Sequence, residues 1–210
     1  MFTREDVYVH KVLPLYALSI IVTFVSSLIG ILFFLPALSD IVVFTILAIL
    51  TIILIIILSL RPSLPLMLIF NVFEGLSLSS LLFVAGVTDP AIIPEAFGLA
   101  ALIFVVFSLM SWRSKYNFLS WGKVLFILLI VAVVVSIVQI FVQYSWVDIA
   151  IDVGVIVLFI GYILYDTQNI LKRYPDDQYI NACVSLYLDF INIFVRLIDI
   201  LLGRQRQRAF

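Results

Sequence analysis

Long uncharged runs of hydrophobic residues alternate with short polar connectors along the whole chain. A helix that crosses the ~30 Å hydrocarbon layer of a bilayer needs about 20 such residues, and each run is close to that length. The pattern predicts seven transmembrane helices, at Leu13–Leu38, Ile41–Leu60, Leu64–Gly86, Ala96–Trp112, Val124–Val147, Val153–Leu171 and Ile180–Leu202. The connectors are too short to fold separately. We therefore expect an all-α integral membrane protein with a single domain over residues 1–210.

Composition supports this interpretation and excludes several classes of soluble protein. Hydrophobic residues make up 65% of the chain and charged residues 12%, against roughly 45–50% and about 25% in ordinary soluble domains. The formal net charge of −1 leaves no basic surface of the size that nucleic-acid binding needs. The only cysteine is Cys183 and the only histidine is His10, so the usual ligands of zinc and haem and the residues of a Ser-His triad are missing. The sequence predicts no cofactor and no enzyme.

Charged residues in the connectors predict how the chain is oriented. With a cytoplasmic N-terminus, the cytoplasmic segments hold the basic residues Arg4, Lys11, Arg61, Arg113, Lys115, Lys123, Lys172 and Arg173. The opposite connectors contain acids and no basic residue: Asp40, Asp89, Glu95, Asp148 and Asp152. We expect Asp148 and Asp152 to contribute to an acidic mouth that concentrates cations, although solvated acids without any role in transport would give the same pattern.

The C-terminal arginines do not fit that orientation. An odd number of helices places Arg204, Arg206 and Arg208 outside, where basic residues are disfavoured. Either this tail departs from the rule or the last helix does not cross completely.

Ionisable residues within the predicted spans are costly in lipid, so they normally face other helices or water. The seventh helix carries a stripe of polar residues three or four positions apart: Asn181, Ser185, Asp189, Asn192, Arg196 and Asp199. A helix with such a stripe is best placed at the centre of the bundle. Our pore-lining candidates are Glu74, Ser185, Asn192, Arg196 and Asp199. Interhelical hydrogen bonding alone would explain the Asn and Ser residues but explains the acids poorly.

Asp166 and Asp189 lie near the connector between the sixth and seventh helices. At 1.5 Å per residue they are about 7 Å and about 13 Å from its ends, and ordinary helix tilt could bring them level. Two carboxylates in contact at low dielectric cannot both ionise cheaply, so the pair would share a proton and act as a proton sensor. Arg61 lies at the same cytoplasmic end, where it could pair with one carboxylate or simply anchor the helix to lipid headgroups.

Several segments resemble the transmembrane Bax inhibitor motif family. The most specific segment is Ser185-Leu-Tyr-Leu-Asp189-Phe-Ile-Asn192, preceded by Ile163-Leu-Tyr-Asp166 on the sixth helix. Pro94-Glu-Ala-Phe-Gly98 and Phe118-Leu-Ser-Trp-Gly122 extend the similarity over nearly the whole chain. The resemblance implies six helices wrapped around a central C-terminal helix and a pH-sensitive calcium leak guarded by two aspartates, which by position are Asp166 and Asp189.

The resemblance also implies further roles. In bacterial members a basic residue can latch onto the helix-six aspartate, and Arg61 is the candidate here. Ca²⁺ would be the transported ion, with contacts to Asp166 and Asp189, and protons would regulate it.

Compact connectors without glycosylation sites favour a prokaryotic cell membrane. We expect a monomer in the lipid bilayer with no assigned protein partner. Gly75, Gly154 and Gly161 are interpreted as helix-packing residues.

Two other functions use the same acids. A proton-coupled cation transporter remains the main alternative, although paired broken helices are not found. An intramembrane aspartyl protease would need Gly-x-Gly-Asp around its second aspartate, whereas Leu186-Tyr187-Leu188 precedes Asp189. A Pro-Ala-Leu element should also follow that aspartate, and here Pro36-Ala37-Leu38 ends the first helix.

Overall fold

The structure is a computed structural model that describes residues 4–34, 41–139, 145–175 and 177–208. Within these ranges all regular secondary structure is helical. Seven long helices follow in chain order: α1 (Arg4–Phe34), α2 (Ile41–Leu60), α3 (Leu64–Thr88), α4 (Ile92–Arg113), α5 (Gly122–Gln139), α6 (Ser145–Lys172) and α7 (Tyr179–Arg208). A short 3₁₀ turn, Phe118–Trp121, precedes α5. The all-helical prediction is confirmed for the described residues.

Helix α1 begins at Arg4, nine residues before the predicted start. Its first turn contains Glu5 and Asp6, whose negative charges favour a helix N-terminus. The helix contains two π-helical turns, Tyr8–Val12 and Gly30–Phe34. The predicted end at Leu38 lies outside the described residues.

The predicted boundary between the fifth and sixth helices is wrong. Helix α6 already begins at Ser145, so Val147 belongs to it rather than to the fifth helix. Asp148 lies in its first turn, where a carboxylate favours the positive end of the helix dipole. Asp152 is therefore a helical residue and not part of an outer connector, which corrects the predicted position of the acidic mouth. A charged residue predicts a connector when no partner is visible nearby in the sequence. The partner of Asp152 is Arg196, which lies 44 residues away.

Helices α4 and α7 are also longer than predicted. Before α4, the backbone N–H of Ala91 donates a hydrogen bond of 3.0 Å to Asp89 Oδ1, and the helix then begins at Ile92. Helix α7 continues past Leu202 to Arg208. Arginine and glutamine are good helix formers, and basic side chains favour a helix C-terminus.

Five described segments are long and apolar enough to cross a membrane: Arg4–Phe34, Leu64–Thr88, Ile92–Arg113, Phe118–Val138 and Val147–Lys172. Many of their aliphatic side chains are exposed, among them Leu102 (60%), Ile127 (60%) and Val157 (62%). Such continuous apolar surface is expected where lipid is the solvent. Helix α2 has a shorter apolar stretch, Thr45–Leu60, and α7 carries charges along its length, so the count of seven spans stays a prediction.

The chain divides into two compact units. Unit 1 lies within Met1–Val87 and Tyr174–Tyr187, and unit 2 lies within Thr88–Arg173 and Leu188–Phe210. Helix α7 is continuous and contributes its first part to unit 1 and the rest to unit 2. From Tyr179 to Gly203 each residue of α7 is buried or half-buried. The single domain and the arrangement of six helices around a central one stay predictions.

Candidate functional site

Asp166 and Asp189 belong to the same unit, unit 2, on helices α6 and α7. Asp189 is 3% exposed, and its Oδ2 has no hydrogen-bond partner among the described residues. Asp166 is half-buried, and its carboxylate is close enough to act electrostatically on Asp189. Tyr162, one turn before Asp166, is within electrostatic range of both acids. We call Tyr162, Asp166 and Asp189 the carboxylate cluster.

The segment of α6 around Asp166 is tied to helix α4 by two hydroxyl groups. Ser111 Oγ donates a hydrogen bond of 2.6 Å to the backbone oxygen of Leu164. Thr167 Oγ1 donates one of 3.3 Å to Ser108 Oγ. These four residues are buried, so the contacts are shielded from solvent and restrict how α6 can rotate or slide at Asp166.

A glutamine fixes the same segment from another side. Gln168 is fully buried. Its Nε2 donates a hydrogen bond of 2.8 Å to the backbone oxygen of Tyr116, and its Oε1 accepts a hydrogen bond of 2.8 Å from the backbone N–H of Phe118. A Cβ added at Gly122 would lie 2.9 Å from the ring of Tyr165, so the start of α5 packs directly against α6. The pattern of hydrophobic and polar positions alone does not indicate a role for these residues. Their available signal was the rarity of a glutamine within an apolar helix.

Aromatic packing positions the α7 side of the carboxylate cluster. Phe190, next to Asp189, has its ring centroid 6.4 Å from Phe104, 5.6 Å from Phe97 and 6.3 Å from Phe194. The first two pairs are edge-to-face, which is a favourable geometry for aromatic rings. Because Phe97 and Phe104 lie on α4, the same helix supports both sides of the cluster.

Arg196 lies seven residues beyond Asp189 on α7, about 10 Å along the helix axis. Its Nη1 lies 3.0 Å from Asp152 Oδ1 and 4.0 Å from Asp199 Oδ2. Its Nη2 donates a hydrogen bond of 2.9 Å to Ser136 Oγ. One guanidinium thus connects α5, α6 and α7. The Asp152 side chain is only 5% exposed, so it is the anion of a buried ion pair rather than a solvated outer acid.

The other predicted pore residues have varied surroundings. Asn192 is half-buried, and its Nδ2 donates a hydrogen bond of 2.8 Å to the backbone oxygen of Leu188 within its own helix. Ser185 is half-buried in the part of α7 that belongs to unit 1. Asp148 is half-buried in the first turn of α6. Pore-lining roles for these residues stay predictions.

Glu74 lies in unit 1 among other buried polar groups. It is half-buried and close enough to act electrostatically on Tyr187, whose hydroxyl is 2.8 Å from Thr23 Oγ1. Thr23 Oγ1 in turn donates a hydrogen bond of 3.3 Å to the backbone oxygen of Asn71. Asn71 is fully buried, and neither atom of its side-chain amide has a hydrogen-bond partner among the described residues. Each such group is costly unless it meets water or an ion.

The three glycines differ in their surroundings. A Cβ at Gly75 would overlap the backbone oxygen of Thr23 and lie 2.7 Å from Ser26 Cβ, so α1 and α3 can only approach this closely at a glycine. At Gly161 it would lie 2.8 Å from a methyl group of Leu125. At Gly154 it would meet nothing within 4 Å. Gly75 and Gly161 are packing residues, whereas the interpretation of Gly154 as one is wrong.

Arg61 lies in the bend between α2 and α3 and is exposed. Its backbone N–H donates a hydrogen bond of 2.8 Å to the backbone oxygen of Ile57. This hydrogen bond caps the end of α2. Within the described ranges its guanidinium makes no ion pair shorter than 4.0 Å. The latch between Arg61 and Asp166 stays a prediction.

At the other end of unit 2, the tail contacts the connector between α3 and α4. Gln205 Nε2 donates 2.6 Å to Asp89 Oδ2. A polar cavity of about 300 Å³ lies beside this contact and is lined in part by Glu95 and Arg204. The end of α7 therefore lies beside the connector that contains Asp89. The membrane side of the C-terminal arginines stays a prediction.

No group of three or more His, Cys, Asp or Glu residues that could hold a metal ion occurs among the described residues. Asp166 and Asp189 alone supply too few oxygens for the six to eight that Ca²⁺ prefers. Any contact with Ca²⁺ at this pair would need water and carbonyl oxygens as further ligands.

Comparison with known proteins assigns the chain to a family. A family profile described as "Inhibitor of apoptosis-promoting Bax1" matches residues 5–207. The chain belongs to the Bax inhibitor family. This confirms the resemblance found in the sequence. Because five helices among the described residues are able to span a membrane, it is a multi-pass membrane protein of that family.

Similar proteins occur in bacteria and eukaryotes. A Helicobacter pylori protein is 32% identical over 197 residues, which are 92% of this chain and 85% of the relative. Bax inhibitor 1 of Schizosaccharomyces pombe is 33% identical over 198 residues, 89% of this chain and 73% of the relative. A Campylobacter jejuni protein is 42% identical over 135 residues, which are 63% of this chain and 58% of the relative.

Proposed function

We propose that this Bax inhibitor family member is a pH-sensitive calcium leak channel in which Asp166 and Asp189 share a proton. The observation that carries the proposal is the buried Oδ2 of Asp189, which has no partner among the described residues although a second carboxylate acts on it. A buried carboxylate that lacks a cation needs a proton or a bound ion to compensate its charge. Asp152, with Arg196 beside it, has no such need.

The proton count of the pair sets its charge. With one shared proton the pair carries one negative charge, and full protonation removes it. A permeating Ca²⁺ would contact the pair through the carboxylate oxygens together with water and carbonyl groups. Protonation therefore removes the negative charge by which the pair holds a neighbouring cation, which couples the leak to pH.

The surroundings of the pair suit a switch of this kind. Gln168, Ser111 and Thr167 hold the α6 segment in place, while Phe190 fixes α7 beside it. Because these contacts prevent the two side chains from moving apart, a change in the charge of the pair changes the free energy of one conformation relative to another. Arg61 is proposed as the latch that binds ionised Asp166 in the closed state, so that acid opens the pathway.

The remaining parts of the proposal concern the setting. The protein acts in a prokaryotic cell membrane, with its N-terminus in the cytoplasm, as a monomer and without enzymatic activity. The lipid bilayer, Ca²⁺ and protons are its partners. Glu74 lines part of the pathway, and the side-chain amide of Asn71 on the same helix, which has no partner among the described residues, supplies further polar groups.

The test is flux through the purified protein in liposomes. Vesicles loaded with a Ca²⁺ indicator and a pH indicator should show Ca²⁺ entry that increases as the pH falls from 8 to 5, without stoichiometric proton movement. Protein-free vesicles are the control. Ca²⁺ entry that requires an opposing proton gradient would favour the transporter, and the absence of entry at every pH would refute the proposal.

A further inference from the structure

Buried polar side chains form a track inside unit 1, where helices α1, α3 and α7 meet. Ser19 Oγ lies 3.7 Å from Cys183 Sγ, and the contact between Thr23 and Tyr187 follows one turn further along both helices. The hydroxyl of Thr23 also binds the backbone oxygen of Asn71 on α3. All five residues are buried. Polar groups thus follow the three helices through a part of the unit in which α1 and α3 are apolar enough to span a membrane.

The side-chain amide of Asn71 is the part of this track that the protein leaves unsatisfied. Its Oδ1 accepts hydrogen bonds and its Nδ2 donates them, and neither atom has a partner among the described residues. A cation could satisfy only the oxygen, an anion could satisfy only the N–H groups, and a hydrocarbon chain could satisfy neither. Water both donates and accepts, so it is the ligand that matches the amide.

Glu74 extends the polar surface around this amide. It lies three residues after Asn71, on the same face of α3, and acts electrostatically on Tyr187. Protein atoms cover its side chain only in part. A carboxyl group in contact with hydrocarbon is costly, so water is favoured in the space beside it. At the next residue, Gly75, helices α1 and α3 are too close even for an added methyl group, so a larger solute cannot enter between them here.

We propose that unit 1 binds internal water between α1, α3 and α7, held by the amide of Asn71 and the carboxyl group of Glu74. The water accepts a hydrogen bond from Asn71 Nδ2, donates one to Asn71 Oδ1, and borders the hydroxyl of Tyr187. Its effect is to hydrate Glu74 within a membrane-spanning helix, which lowers the cost of a charge there. The site belongs to a different unit from the carboxylate cluster. It does not depend on the proposed calcium leak, because Asn71 needs the water whether or not ions pass.

X-ray footprinting of the protein in detergent, read by mass spectrometry, can test the proposal. Radiolysis of a bound water produces hydroxyl radicals that label the side chains beside it, even where bulk solvent has no access. Tyr187 is 0% exposed, so radicals from bulk water do not reach it. Tyr187 should nevertheless take up label in the parent protein. Asn71→Leu has a similar volume but no hydrogen-bonding group, so it should remove most of that label.

The controls separate loss of water from a general disturbance of packing. Asn71→Ser keeps a donor and an acceptor in a smaller side chain, so Tyr187 should keep its label. Asn117→Leu makes the same apolar change at an exposed position before α5 and should label like the parent. Glu74→Leu removes the other polar group and replaces Asn71→Leu if that variant does not fold. An unlabelled Tyr187 in the parent would overturn the proposal, as would a label that persists in Asn71→Leu or, where that variant does not fold, in Glu74→Leu.

Discussion

At the scale of single residues, the neighbours of a buried acid decide what it can do. Asp152 and Asp189 are almost equally buried, at 4% and 3% exposed. Asp152 has the guanidinium of Arg196 at 3.0 Å, whereas Asp189 has Asp166 as its electrostatic neighbour. The first arrangement stabilises a fixed charge. The second leaves a carboxylate whose charge can change with proton concentration.

Removing Arg196 should destabilise the protein strongly. Arg196→Gln leaves Asp152 buried without its cation, which costs about 3–5 kcal/mol in comparable pairs. The double variant Arg196→Gln with Asp152→Asn has no charge left to compensate and should recover much of that loss. Thermal unfolding in detergent measures both. A double variant less stable than the single one would show that the ion pair is not the source of the effect.

Removing the side-chain amide of Gln168 should lower the free energy of unfolding by about 2–6 kcal/mol. Gln168→Leu keeps the approximate volume but leaves the oxygen of Tyr116 and the N–H of Phe118 without a partner, at roughly 1–3 kcal/mol each. Gln178→Leu is the matched control, because Gln178 is exposed. Denaturant unfolding should separate the two variants. Equal stability would mean that water replaces the lost contacts.

At the scale of elements, most of the helices could be predicted, because uncharged runs of the right length admit no other structure in lipid. The start of α6 could not, since Asp148 and Asp152 suggested a connector and only the fold shows that Arg196 compensates Asp152. The carboxylates of the site could be identified because charge within an apolar span is conspicuous. Gln168, Ser111 and Gly122 could not, because their partners lie 43 or more residues away.

The contact between α1 and α3 provides a test at this scale. Gly75→Ala places a methyl group against the backbone of Thr23 and against Ser26, so the two helices must separate. Overpacking of this kind costs about 1–3 kcal/mol. Gly98→Ala, where a Cβ meets nothing, should be neutral or gain up to about 1 kcal/mol from helix propensity. A thermal shift that is the same for both variants would contradict the packing role of Gly75.

At the scale of the whole molecule, the proposed latch couples a connector to the carboxylate cluster. Arg61→Ala should raise the Ca²⁺ leak at pH 8 towards its acidic value, because the closed state loses about 1–3 kcal/mol of charged hydrogen bonding. Arg61→Lys should be intermediate, since lysine keeps the charge but not the two-pronged geometry. Arg113→Ala removes an exposed arginine at the end of α4 as the control. If Arg61→Ala leaks like the parent at pH 8, Arg61 only anchors the helix to headgroups.

The central claim is that Asp166 and Asp189 titrate as one unit that controls the leak. The most direct measurement is Ca²⁺ flux in liposomes from pH 5 to pH 8 for Asp166→Asn, Asp189→Asn and the double variant, with the exposed Asp177→Asn as control. Because an amide cannot exchange the shared proton, each single variant should flatten the pH profile, and the double variant should flatten it no further. Asp177→Asn should titrate like the parent. Single variants that keep the parent's profile, or whose effects add in the double variant, would contradict the account.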